Sequence, residues 1–361
     1  MTATKTPPDT DASLLTAHGV ESTYRDLNGV RLHVVTAGDP DGLLVVLLHG
    51  HPDFWYGWRD QLVSLADAGY RVIVPDQRGC NLSDAPDKID AYRLSNLVAD
   101  VRELIHSEGR ESAHIVGHDF GAFVAWNVAL REPTVVDRLG ICNVPHPTVY
   151  RETLRSSLRQ LARSWYVWFY QLPKLPEWML RRNEMENMVA TLDISSNAGT
   201  FDAETIARYQ AAWRHTGIEP RINWYRAFRR SERPSRDTVV QPTLICWGED
   251  DVGLVPSMAE ESLAYCETGQ LQTFPDASHW VHHEREEVTE ALSEELQEIG
   301  KQMYQQQAQA GAGGAGADAG PGGMGGMGGA GPGGAGPGPG AGDGDEYVDA
   351  DFEEKDDEDD A

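Results

Sequence analysis

The segment Gly117-His118-Asp119-Phe120-Gly121 joins an apolar run, Ala113-His114-Ile115-Val116, to a helical pattern that begins Ala122-Phe123-Val124-Ala125-Trp126. Strand, glycine-flanked residue and helix together describe a sharp turn that holds one side chain above the end of a sheet. Such a turn needs a buried strand before it and a helix after it, so the chain is constrained to a layered α/β core. The residue it presents is Asp119. A carboxylate attacking a carbonyl would give an anhydride, a poor intermediate. At a saturated carbon it gives an alkyl ester, which water can hydrolyse. The matching electrophiles are epoxides and carbon–halogen bonds. The plainer role for Asp119 is a helix N-cap, for which Asp is favoured; the residues further along decide between the two.

The rest of the chain supplies what that turn requires. A hairpin is expected over 21–26 and 31–37 around Asn28-Gly29. The continuous apolar run 43–49 reads as a central parallel strand. A helix over 55–68, a strand over 71–75 and a helix over 93–107 precede the turn, and strands follow at 138–143, 243–247 and 271–274. A long helix over 284–307 closes the core. Strands alternating with helices predict a doubly wound, mostly parallel sheet. Residues 148–236 break the pattern: they are rich in Trp, Tyr and Arg at helical spacing, with no strand signal. This predicts a helical cap inserted between two parts of the core, 19–147 and 237–306. Residues 1–18 are expected to form a flexible arm. Residues 307–361, Gly/Ala/Pro-rich and then acidic, cannot bury enough apolar surface to order themselves and predict a disordered tail.

Charge and cysteine content limit the partners. The net charge of −27 argues against nucleic acid. Residues 294–361 carry 16 acids against 2 lysines, which leaves −13 on the rest of the chain. With only five lysines in 361 residues, this composition suits a halophilic protein, since high salt screens self-repulsion. No apolar run is long enough for a membrane span. The four cysteines are widely spaced and form no metal-like cluster, which fits a reduced, cytoplasmic protein. No metal or cofactor is expected, and the oligomeric state is left open.

An ester on Asp119 needs a second step, in which a base activates water. His279, in Ser278-His279-Trp280 just after the last strand, is the best-placed histidine. His118, His282 and His283 are more readily read as structural. An acid should orient the base, and the run Glu249-Asp250-Asp251 after a late strand offers candidates. The turn Gly50-His51-Pro52 after the central strand can aim the His51 N–H at a developing oxyanion, with the Phe120 N–H as second donor.

Together these stretches resemble the α/β-hydrolase-fold epoxide hydrolases over about residues 21–292. The resemblance rests on His49-Gly50-His51-Pro52-Asp53-Phe54-Trp55-Tyr56-Gly57-Trp58-Arg59, Asp76-Gln77-Arg78-Gly79, the turn at 117–122, Asn143-Val144-Pro145-His146-Pro147, 247–256 and Ser278-His279-Trp280. It implies that Asp251, the last Asp of a Trp-Gly-Glu-x-Asp pattern, is the acid of an Asp-His-Asp triad. It also implies that Tyr166 and Tyr225 donate hydrogen bonds to the epoxide oxygen, Tyr225 from Asn223-Trp224-Tyr225-Arg226. Phe120, Trp168, Phe54 and Trp55 are expected in the substrate pocket. The implied activity is conversion of a small-molecule epoxide and water to a vicinal diol. Haloalkane and haloacetate dehalogenases resemble the same core and are the competing expectation, with Trp165 or Trp168 as a halide contact. Phe120, where such enzymes carry Trp or Arg, speaks against them.

The segment from Glu295 onward has a different resemblance. With Glu346-Tyr347-Val348-Asp349-Ala350-Asp351-Phe352, it is similar to the C-terminal end of a haloarchaeal seventy-kilodalton heat-shock chaperone. A third expectation, a chaperone-like interaction module, rests on that segment alone.

Overall fold

The computed structural model describes residues 19–296. The expected arm, the end of the terminal helix and, beyond Leu296, the segment expected to be chaperone-like lie outside the described residues. The strands are β1 (Glu21–Leu27), β2 (Val30–Ala37), β3 (Leu44–Leu48), β4 (Arg71–Pro75), β5 (Ala113–His118), β6 (Val136–Cys142), β7 (Thr243–Gly248) and β8 (Gly269–Phe274). They form one sheet in the order β1-β2-β4-β3-β5-β6-β7-β8. β2 pairs antiparallel with β1 and β4; from β4 to β8 every pairing is parallel. This is the α/β-hydrolase fold, with the mostly parallel sheet that the alternating elements predict.

Why the centre is parallel follows from its residues. Leu44, Val45, Val46, Leu47 and Leu48 of β3 are all buried, as is all of β5. A strand covered on both faces must be apolar throughout. The helix Phe120–Arg131 is buried over most of its length and lies against this centre. It approaches closely because Gly117 and Gly121 have no side chain: a Cβ on Gly117 would come within 2.6 Å of the Gly121 carbonyl, and one on Gly121 would meet the carbonyls of Leu48 and His49.

Register sets the site. Leu48 of β3 pairs with Gly117 of β5, His118 with Cys142 of β6, and Cys142 with Cys246 of β7. The carboxyl ends of four neighbouring strands therefore stand level. The chain leaves β3 toward β4 on one side and returns to β5 on the other, which opens a crevice at those ends. Between β6 and β7 it runs through helices from Pro147–Ser156 to Glu219–Phe228 with no intervening strand.

Two expected helices differ. The first turn after Phe54 is a tight 3-10 turn, Trp55–Trp58, before the α-helix Arg59–Asp67. The Gly57 N–H bonds back to the Phe54 carbonyl at 3.0 Å, and a Cβ on Gly57 would overlap the Asp53 carboxylate. The terminal helix is also divided. Val281–Glu284 is a separate turn, Arg285 is extended (φ −135, ψ 112), and helix resumes over 286–296.

Candidate active site

Asp119 sits at the sharp turn with φ 50 and ψ −125, the left-handed side of backbone space that a non-glycine residue rarely occupies. The strain lifts its carboxylate off the sheet. The His51 N–H donates to Asp119 Oδ1 at 2.7 Å. Asp119 Oδ2 lies 3.4 Å from His279 Nε2. Phe120 is the first residue of its helix, so its N–H is one of the donors a helix start leaves without an intrahelical partner. The carboxylate thus lies at a helix start, beside a backbone donor and an imidazole.

His279 follows β8, as expected. Its Nδ1 donates to Asp251 Oδ2 at 2.7 Å. Asp251 is buried and accepts three further bonds: from the Gly253 N–H (2.7 Å), the Leu254 N–H (3.0 Å) and Asn143 Nδ2 (3.0 Å). Asp250, the rival acid, is exposed. Burial alone would lower the His279 pKa, but Asp251 and then Asp119 hold the imidazolium, and the value rises to about 10. Burial would raise Asp119, but His279, His118 and the His51 N–H outweigh it and bring the carboxyl to about 2. At neutral pH the pair is carboxylate and imidazolium.

A cavity of about 740 Å³, mostly apolar, opens over Asp119. Tyr166 and Tyr225 line it, with ring centroids 5.9 Å apart. Burial pushes both phenols up; the charge of Asp119 adds to Tyr225, and those of Tyr150 and Asp119 to Tyr166. They are neutral donors at neutral pH. Tyr225 also meets the His51 ring edge-on at 5.3 Å and the Phe120 ring at 5.5 Å.

Three expected pocket residues are elsewhere. Phe54 and Trp55 are buried in the core and do not line the cavity. The helix Ala203–Thr216 and the Tyr225 helix cover the turn that precedes them: Trp213 Nε1 donates to the Pro52 carbonyl and Arg221 Nη1 to that of Asp53. Phe54 meets Tyr209 edge-on instead, at 5.2 Å. Trp168 is 48% exposed, with the Arg229 guanidinium over its ring. On the helix Trp165–Phe169 its neighbours Trp165, Tyr166 and Phe169 take the cavity wall. Phe120 does line the cavity.

Sequence reasoning missed Asn143, Tyr150 and Tyr170. Asn143, at φ 47, receives the Gly248 N–H on its side-chain oxygen at 2.8 Å and donates to Asp251. It lay inside a family-like stretch but carries no spacing signature of its own. Tyr150 and Tyr170 also face the cavity, and only the folding of the helices shows that. His118 donates to the His279 carbonyl at 2.9 Å, and His282 packs at a tilt against the Trp58 ring at 4.4 Å. Neither takes the place of His279 beside Asp119.

Asp53, His282 and His283 place one ligand atom each within 4.8 Å of one another, the spacing a cation site needs. Arg59 and Arg221 both act on Asp53, and Arg59 on both histidines. Two guanidinium charges in a poorly solvated place oppose a bound cation there.

Residues 44–286 match the family model described as alpha/beta hydrolase fold. AB hydrolase superfamily protein YfhM of Bacillus subtilis (strain 168) is 41% identical over 278 residues, spanning 76% of this chain and 96% of that protein. Epoxide hydrolase 1 of Caenorhabditis elegans is 36% identical over 277 residues, spanning 75% of this chain and 68% of that protein. Among solved structures, an epoxide hydrolase of Bacillus megaterium in complex with an inhibitor is similar at a TM-score of 0.70 and 27% identity, covering 76% of this chain and 99% of that one.

Proposed function

The chain belongs to the α/β-hydrolase-fold family, among its epoxide hydrolases, and we propose that it converts epoxides to vicinal diols through an alkyl ester on Asp119. One observation carries the mechanism: the residue at the sharp turn is a carboxylate, held by the His51 N–H, 3.4 Å from His279, beneath two neutral phenols. Asp119 Oδ2, the oxygen not held by His51, attacks an epoxide carbon. The ring C–O bond breaks, and Tyr166 and Tyr225 stabilise the oxygen that gains charge. Ester formation removes the Asp119 charge, so His279 loses one of the two carboxylates that raise its pKa. It gives up its proton, which balances the new hydroxyl.

Neutral His279, oriented by Asp251, then takes a proton from water, and the hydroxide attacks the ester carbonyl. Asp119 Oδ1 becomes the oxyanion, with the N–H groups of His51 and Phe120 as donors. The acyl C–O bond breaks, the second diol oxygen leaves as an alkoxide and takes the carboxylic acid proton, and Asp119 and imidazolium are restored. No metal or cofactor enters this cycle. The test is a substrate panel. Styrene oxide should yield diol, while haloalkanes and fluoroacetate should release no halide; halide release without diol formation would overturn the assignment.

The phenols give a graded prediction. Tyr166→Phe or Tyr225→Phe should slow ester formation by about 10- to 100-fold, and the double variant should slow it more than either, because each removes one donor to a developing charge. Ester hydrolysis should change far less. Stopped-flow single turnover measures both steps.

The helical segment 148–236 is proposed as the cap that shields the ester from bulk water. Among the described residues no helix is long and apolar enough to cross a membrane. The described cysteines are free thiols, three of them buried, which suits a reducing cytoplasm. The charge of −27 favours small substrates over nucleic acid and suits life at high salt. Thermal melting should therefore shift upward as KCl rises into the molar range, which screens that charge. Deleting 308–361 should leave epoxide turnover unchanged, as an accessory chaperone-like tail requires; lost turnover would make the tail part of the enzyme.

A further inference from the structure

Glu284 has no part in the cycle above, yet its carboxylate receives five hydrogen bonds. Two come from Ser278, the residue before His279: the backbone N–H to Oε2 at 2.8 Å and the hydroxyl to Oε1 at 2.6 Å. Three come from the helical insertion. The Asn197 N–H (2.8 Å) and the Thr200 hydroxyl (2.9 Å) reach Oε1, and Asn197 Nδ2 (2.8 Å) reaches Oε2. A second bond runs alongside, from Trp280 Nε1 to the Ser195 hydroxyl at 2.9 Å. Ser195 ends the helix Glu186–Ser195, whose Thr191, Ile194 and Ser195 line the cavity. The loop that carries His279 is therefore bound on both sides of that histidine to the chain that forms the cavity wall.

From this geometry we infer that Glu284 is a positioning residue for the general base. It fixes the peptide before His279 against the insertion, so the direction of His279 Nε2 depends on the cavity wall as well as on Asp251. Charge-assisted bonds to a carboxylate are strong and directional. A base must lie within hydrogen-bond reach of the water it activates, and a misplacement of about 1 Å can cost about 100-fold. Ester formation makes no such demand: bond making uses Asp119 and the phenols, and His279 gives up its proton only after the ester has removed the Asp119 charge. Glu284 should thus govern the second half-reaction and leave the first nearly untouched.

The inference rests on the ester mechanism above, and one experiment separates the two. The full chain, in excess over styrene oxide, is quenched at intervals, and the mass of the intact protein reports ester formation and decay. In Glu284→Gln the amide nitrogen cannot accept from the donors that now meet one carboxylate oxygen. Decay should slow by about 10- to 100-fold, with formation within about twofold of the wild type. An equal loss in both steps would reduce Glu284 to a structural role, and unchanged decay would likewise overturn the inference. If the Gln variant does not fold, Ser278→Ala and Thr200→Val each remove one hydroxyl donor. Both should slow decay more than formation, and an equal loss overturns the inference. If the wild type forms no ester at all, the ester mechanism fails and this inference with it.

Discussion

His279→Gln should halt the protein after one ester has formed. Asp119 and the two phenols remain, so the first step still runs, and substrate should add to the chain stoichiometrically. Without an imidazole to take a proton from water, decay of the ester should slow by about 10³-fold or more, within the range general-base catalysis supplies. Intact-protein mass spectrometry should show the epoxide mass retained for hours, and a digest should place it on the peptide containing Asp119. A variant that turns over at the wild-type rate would exclude His279 as the base. The wild-type pH dependence follows from the same pair. Resting His279 stands at about 10 because Asp251 and Asp119 hold its proton against the effect of burial. In the ester Asp119 is neutral, so the pKa falls. Decay should rise with pH as imidazole forms, with its midpoint below 10. Asp251→Asn removes the remaining carboxylate, moving that midpoint lower still and reducing the plateau, because a neutral amide no longer stabilises the imidazolium.

Asp119→Asn should remove the first step itself. An amide oxygen is a weak nucleophile, and the resting charge that pairs with His279 is gone. Turnover should fall by about 10⁴-fold or more, with no ester on the chain. Binding should persist, since the cavity is largely apolar and its wall is unchanged. Oxygen labelling supplies the positive counterpart. In heavy-oxygen water a single wild-type turnover should place the solvent oxygen on Asp119, and the first diol should carry an unlabelled oxygen from the protein. Label in the first diol would mean direct attack by water and would reassign Asp119 to an orienting role.

Much of this was legible along the chain because it depends on local order. Glycines on both sides of Asp119, an apolar run before it and a helix after it require a sharp turn, and only a parallel α/β sheet accommodates that. His279 could be chosen among neighbouring histidines from its place after the last strand, since loops at strand ends carry the chemistry in such sheets. Trp168 shows where this reading fails. Two residues after Tyr166 on the same short helix, it stands on nearly the opposite face, and which face meets the cavity depends on the packing of the helix. Phe54 and Trp55 failed similarly. They follow the oxyanion turn in sequence, but two helices from more than a hundred residues later close over that turn and direct them into the core.

The sequence alone located Asp119 at its turn, the chain order of Asp119, Asp251 and His279, and the helical stretch between β6 and β7. Each is a matter of residue type and local spacing. Only the tertiary structure decided which residues hold those groups in place. Asn143 on Asp251 and Asn197 on Glu284 join segments far apart in the chain. Such bonds are set by strand register and by how the insertion folds back over the sheet, and no local pattern records that.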